Sequence, residues 1–391
     1  MGRNDANADN ATYLARSSLQ PTTNENTMTV KTKNEDDVEG LDENVDSGLG
    51  DYPIDTMMIR KETRTIFDVV RRIQNGGFVL DPDFQREFVW NAERQSRLIE
   101  SVIMRIPLPV FYLAEDLEGR TIVVDGLQRL TTFQRFFDNS FALELGHQAS
   151  LNGKTFQELP PKLQNRVEDC NLELYIIDAQ VPERAKLDIF ERVNSGEPLT
   201  RQQMRNCIYT GPASRWLRDE VEKPLFIEAT GKSLRQKTMR DREFANRFCA
   251  FYLLGPDEYR KSDMDDFLAR SLTKMNKMSE SELEALSEAF RTGLQNNLNL
   301  FGNHAFRKHI PDQDRRSVVN ASLWDVMSTG LARFSEADVS KREAIFKNAF
   351  YALLENHEFI DSITYSVNST NKVQRRFELA GEMFSEVFDV A

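Results

Sequence analysis

The sequence predicts an α+β fold, with a mixed α/β front part followed by a helical rear part. Three observations carry this reading. Up to residue 211, short apolar runs ended by Gly, Pro or Asp-Gly alternate with segments whose apolar residues recur every three or four positions. From Ala213 onward the pattern is nearly all helical. No internal repeat of fixed period runs through the chain, which sets aside solenoids and propellers.

Residues 1–50 are rich in Asn, Asp, Thr, Ser and Glu and poor in large apolar residues, with an acidic stretch from Glu35 to Asp46. Such a segment buries too little surface to offset the entropy of ordering it, so it is expected to be a disordered acidic tail. A regulatory arm and a plain solvated extension both fit. Structure is expected from about Tyr52. Ile66, Val69, Val70 and Ile73 mark a helix that stops at Gly76-Gly77, and Phe78 to Leu80 a short strand. Asn91 is a natural N-cap for a helix buried through Leu98, Ile99, Val102 and Ile103, with Pro107 and Pro109 beyond its end. Residues 110–113 and 121–124 read as a hairpin turning at Glu118-Gly119. Further strands are expected at 141–145 and 172–177. Pro182 opens a helix closed by Asn194-Ser-Gly196, and Pro198-Leu-Thr200 starts another through Met204 and Ile208 that ends at Gly211-Pro212. In the rear part, Ser279 and Glu282 form a capping box, and later helices are expected over 323–331, 341–354 and 373–388.

At 391 residues the chain is long enough for one large domain or two ordinary ones. Its net charge of -12 argues against a surface coated for general nucleic-acid binding, while leaving room for a local basic groove. Cys170, Cys207 and Cys249 lie far apart in apolar contexts, against a disulfide framework or paired zinc knuckles and in favour of a reducing compartment, the cytoplasm. No apolar run approaches the length of a membrane span. Basic clusters occur at Arg235, Lys237, Arg240 and Arg242, at Arg307, Lys308, Arg315 and Arg316, and at Lys372, Arg375 and Arg376. They could assemble a groove for DNA or a triphosphate, or face solvent beside partner carboxylates.

Residues 121–133 form the chemical centre of the sequence: a β-branched strand, an Asp125-Gly126 turn, and a helix start carrying Gln128, Arg129, Thr131 and Thr132. A helix N-terminus offers free N–H groups and the positive end of the dipole to an anion. Asp125 could hold Mg²⁺ or cap the turn. Gly126 allows a ligand close to the backbone or simply permits the turn. Arg129 could fork onto phosphate or pair with Asp125 or Glu100. Gln128 could orient a water or cap the helix, and the two threonines could bind phosphate or their own backbone. Gln85 and Arg86 make a second polar cluster. Phe84 and Trp90 read as core residues.

Several ordered motifs resemble the N-terminal domain of GmrSD-type restriction endonucleases. They are Pro82-Asp-Phe-Gln-Arg86, Trp90, Arg97-Leu-Ile-Glu-Ser101, Ile106-Pro-Leu-Pro109, the stretch from Val124 to Thr132, and Ile189-Phe-Glu-Arg-Val-Asn194. The resemblance implies a ParB/sulfiredoxin-like domain over 51–211, with a helical region packed on it over 212–391. It also implies an NTP-binding, Mg²⁺-dependent hydrolase linked to restriction of, or phage defence against, foreign or modified DNA. Under it Asp125, Gln128 and Arg129 are catalytic, with Asp125 the metal ligand, and Gln85, Arg86, Gly126, Thr131, Thr132 and Asn194 bind nucleotide. DNA, a separate His-Asn-His nuclease and a second copy of the chain are the candidate partners. The four histidines, His147, His304, His309 and His357, suggest no nuclease centre within the chain itself. Leu127 departs from the family pattern, which usually has glutamine there. A non-hydrolysing, nucleotide-switched binding module is the alternative, and a purely structural platform a third reading.

Overall fold

The computed structural model describes residues 38–39, 41, 59–80, 90–115, 119–193, 200–311 and 313–388. In chain order the strands are β1 (Val38–Glu39), β2 (Ile59–Thr65), β3 (Phe78–Val79), β4 (Phe111–Glu115), β5 (Thr121–Asp125), β6 (Asn171–Ile177) and β7 (Val319–Asn320). The front helices are α1 (Ile66–Gln74), α2 (Ala92–Ile103), α3 (Leu127–Phe137), α4 (Pro161–Glu168), α5 (Glu183–Val193) and α6 (Arg201–Ile208). Rear helices follow as α7 (Pro212–Val221), α8 (Pro224–Thr230), α9 (Arg240–Leu253), α10 (Met264–Met275), α11 (Glu280–Phe301), α12 (Ala321–Leu331), α13 (Glu336–Lys341), α14 (Glu343–Glu355), α15 (His357–Ser362) and α16 (Thr370–Phe388). The fold is α+β, as the sequence predicts. No described helix is long and apolar enough to cross a membrane.

Five strands form one sheet in the order β2-β6-β4-β5-β3, antiparallel at β2–β6 and β4–β5 and parallel at β6–β4 and β5–β3. The four residues 121–124 of β5 are all buried, because this strand is covered on both faces. Leu113 and Val123 join α1, α2, α3 and α4 on one side. Ala114, Ile122 and Val124 join α5 and α6 on the other. Helix starts carry side-chain caps, and those of Asn91 and Ser279 form as the sequence predicts. The side-chain oxygens of Thr65, Asn91, Thr200 and Ser279 accept from the third residue onward, and the last two close full capping boxes with Gln203 and Glu282.

Two expectations fail in instructive ways. Residues 141–145 are not a strand. The Leu143 N–H donates to Lys154 O and the Leu145 N–H to Asn152 Oδ1, while the Glu144 N–H donates to Ser96 Oγ. Loop and helix partners thus replace a neighbouring strand, although Leu143 and Leu145 are buried. The helix expected over 341–354 is present as α14, Glu343–Glu355. Within the tail expected over 1–50, Val38–Glu39 pairs in parallel with β7.

Helices α7 to α16 enclose a separate aromatic-rich core around Trp324, Phe244, Phe290 and Phe306. At its centre Arg247 forks onto Asp325, with Nε–Oδ1 2.8 Å and Nη2–Oδ2 2.6 Å, and Arg376 Nη2 donates to Oδ2 at 2.8 Å. All three side chains are 0% exposed. Polar contacts join front to rear. Arg201 and Arg205 of α6 both pair with Asp265 of α10, and Asn276 accepts from the Ala213 N–H while donating to Tyr209 O.

Candidate functional site

The site grows from the turn between β5 and α3. Gly126 has φ 102° and ψ 8°, a left-handed conformation that disfavours any side chain. A Cβ there would lie 2.9 Å from Phe111 Cε1 and 3.2 Å from Arg129 Nη2, so space and backbone angle both demand glycine. The N-cap of α3 is Gly126, so no side chain caps this helix start. Leu130, Phe133 and Phe136 bury the opposite face, and Leu127 packs half-buried on the same core.

Asp125 and Arg129, one turn apart, form an ion pair with Nη2–Oδ2 2.9 Å. The Arg129 guanidinium also donates from Nη1 to Pro109 O and from Nη2 to Val110 O at 3.2 Å, and lies 4.2 Å over the Phe111 ring. Burial lowers the Arg129 pKa from its ordinary value, against the upward pull of Asp125, but arginine stays charged at neutral pH. Arg129 is 10% exposed, whereas the Asp125 side chain remains 32% exposed. The ion-pair alternative read in the sequence is therefore the arrangement found, with the carboxylate on the open side.

Thr132 is fully buried and donates its hydroxyl to Gln128 O at 2.7 Å, an i to i−4 bond within α3. Gln128 and Thr131 are half-exposed. Trp90 packs partly buried against the front core, with Arg94 over its ring at 5.1 Å. Gln85, Arg86 and Asn194 lie outside the described residues, as do Phe84 and the Asn194-Ser-Gly196 helix end. The described site thus brings together Asp125, Gly126, Gln128, Arg129, Thr131 and Thr132.

Phe111 and the carbonyls of Pro109 and Val110 complete the site and were not singled out in the sequence. A backbone carbonyl carries no residue signature. The usable signal was an arginine four residues after an aspartate, following a hairpin that enters through prolines.

Among the described residues no group of three or more His, Cys, Asp or Glu could hold a metal ion. A single carboxylate such as that of Asp125 holds Mg²⁺ only where substrate phosphates and water complete the shell. The basic clusters are largely engaged internally. Arg307 donates to Thr230 O at 2.6 Å and Ser233 Oγ at 2.9 Å, Arg316 to Gly231 O at 3.1 Å, and Arg375 to Glu358 at 2.7 Å. Lys372 pairs with Asp361, and Arg376 is the buried partner of Asp325. The His304 and His309 rings stack at 4.9 Å, and His309 Nε2 faces Tyr351 Oη at 3.3 Å.

Residues 66–210 match the family model of the GmrSD restriction endonuclease N-terminal domain. No curated protein and no solved structure matches the chain.

Proposed function

We propose, from the membership of residues 66–210 in the GmrSD restriction endonuclease N-terminal domain family, that this chain is the NTP-binding and NTP-hydrolysing module of a DNA restriction system. The observation supporting this reading is the open Asp125 carboxylate beside the uncapped N-terminus of α3. Negative phosphates gain from the helix dipole, and phosphoryl transfer asks mainly for positioning and charge neutralisation. Asp125 is the residue to hold Mg²⁺, which when bound supplies that neutralisation. Arg129 is assigned a positioning role: it fixes the Asp125 carboxylate and ties it to the start of β4. Gln128 and Thr131, both half-exposed in the first turns of α3, are assigned contacts to nucleotide or water. Arg86 and Gln85 remain the proposed phosphate and base contacts from the second motif.

A panel of nucleoside triphosphates with Mg²⁺ tests the reading, with melting shift and phosphate release both recorded. Wild type should be stabilised by at least one NTP and release phosphate. Asp125→Asn should keep its fold and lose phosphate release, by about 100-fold or more if the carboxylate is essential. Equal turnover by Asp125→Asn would overturn its role. No melting shift with any NTP would remove the nucleotide reading altogether.

Leu127 favours one second reading. It is half-buried against the front core in the place where family members usually carry glutamine. An apolar group there supplies no hydrogen bond to a water, which suits a nucleotide-bound switch without turnover. Stabilisation by an NTP with no phosphate release would select that reading, and Leu127→Gln should then restore release.

A further inference from the structure

Strand β1 lies outside the site and has its own binding surface. Val38 and Glu39 pair in parallel with Val319 and Asn320 of β7. Val38 and Leu41 are half-buried against the rear core. Lys308 Nζ meets Glu39 Oε1 at 3.1 Å while donating to Thr364 Oγ1 at 2.6 Å. The receiving edge is firmly built. Val319 and Asn320 are 0% exposed, and Asn320 caps α12 by accepting from the Leu323 N–H while donating to Ile363 O. Across β7 from the arm, Arg307 bridges Val319.

The occupant is much weaker than its seat. A two-residue ladder with one partly buried ion pair is far short of what makes a β-pairing stable by itself. Within the acidic stretch from Glu35 to Asp46, the apolar residues are Val38, Leu41 and Val45, and two of these fill the seat. Backbone pairing to a sheet edge, with pockets for particular side chains, is a general mode of peptide capture. We propose that the β7 edge with Lys308 is a recognition site for an extended acidic segment: an apolar residue, a carboxylate next to it, and a second apolar residue two positions further on. Val38, Glu39 and Leu41 of the same chain occupy it in cis as a detachable plug. The chain re-enters the front sheet at Ile59, so the plug competes at the high local concentration that a short tether provides. The ligand class is an acidic, extended peptide.

The test uses the full chain and a labelled peptide copying residues 35–46, read by fluorescence anisotropy. In Val38→Asp/Glu39→Lys the plug is released, and the peptide should bind at least about tenfold more tightly than to wild type. Adding Lys308→Glu to the released chain should weaken peptide binding by about tenfold, and a peptide carrying Glu39→Lys should recover it. Equal affinity for wild type and the released chain, or no binding to either, overturns the proposal. A concentration-dependent dimer in wild type that disappears in the released chain overturns the cis assignment, since the arm then seats on a second copy. If the double variant melts far below wild type, Glu39→Lys with Lys308→Glu in one chain replaces it. That swap should retain a docked arm and exclude the native peptide, and ready binding of the native peptide overturns the proposal.

Discussion

Asp125–Arg129 and Asp325–Arg247–Arg376 use the same two residue types in opposite surroundings. In the front pair the arginine is buried and the carboxylate is open on one side. In the rear cluster all three groups are sealed off, two cations share one anion, and Arg247 Nη1 and Arg376 Nε have no hydrogen-bond partner. A pairing marks a candidate site by what it leaves accessible. The rear cluster is the stronger electrostatic object and has no access for a ligand; its work is to fix α9, α12 and α16 against one another.

Removing the anion from each pair should separate these roles. Asp325→Ala leaves two arginines buried without their shared partner and should cost about 3–5 kcal/mol in urea unfolding. Asp125→Ala should cost about 1–2 kcal/mol, because Arg129 keeps the Pro109 and Val110 carbonyls. Equal costs would break the comparison. Gly126→Ala probes the backbone of the front site alone. Its left-handed angle and its overlap with Phe111 together predict a loss of about 2–3 kcal/mol. A loss near the few tenths of a kcal/mol of an ordinary surface change would show that the turn relaxes.

The smallest effect lies at the surface. Burial alone would raise the Asp68 carboxyl, yet hydrogen bonds from Arg64, Arg71 and Arg72 outweigh it and hold the pKa at about 2. A carboxylate depressed on folding stabilises above its unfolded pKa, so the contribution is complete above about pH 4 and is lost as pH falls towards 2. Asp68→Asn should flatten the acid limb of the stability–pH curve by less than about 1 kcal/mol. No change in that limb would mean these bonds do not persist in solution.

The helices were legible because each announces itself locally. Asn91 and Ser279 sit just before periodic apolar faces, and their caps form as read. Strand β5 was legible as an unbroken β-branched run ending at Asp-Gly. The rear cluster was not. Arg376 beside Arg375 reads as part of a basic surface, and its partner Asp325 is 51 residues away on another helix. Residues 141–145 misled for the converse reason: buried leucines at alternate positions look like a strand whether or not a neighbouring strand exists to pair with them. At the front site, the Asp125–Arg129 spacing was visible in the sequence, whereas the direction in which the guanidinium points depends on carbonyls that no side chain reveals.

Those carbonyls have a further consequence. Arg129 measures the distance from its helix to Pro109 and Val110, so the connection from the end of α2 to the start of β4 behaves as a ruler of fixed length. One residue inserted or deleted between 104 and 109 would slide β4 against the arginine or strand its charge in the core. Substitution in this segment is then a tolerable form of variation, and a change of length is not.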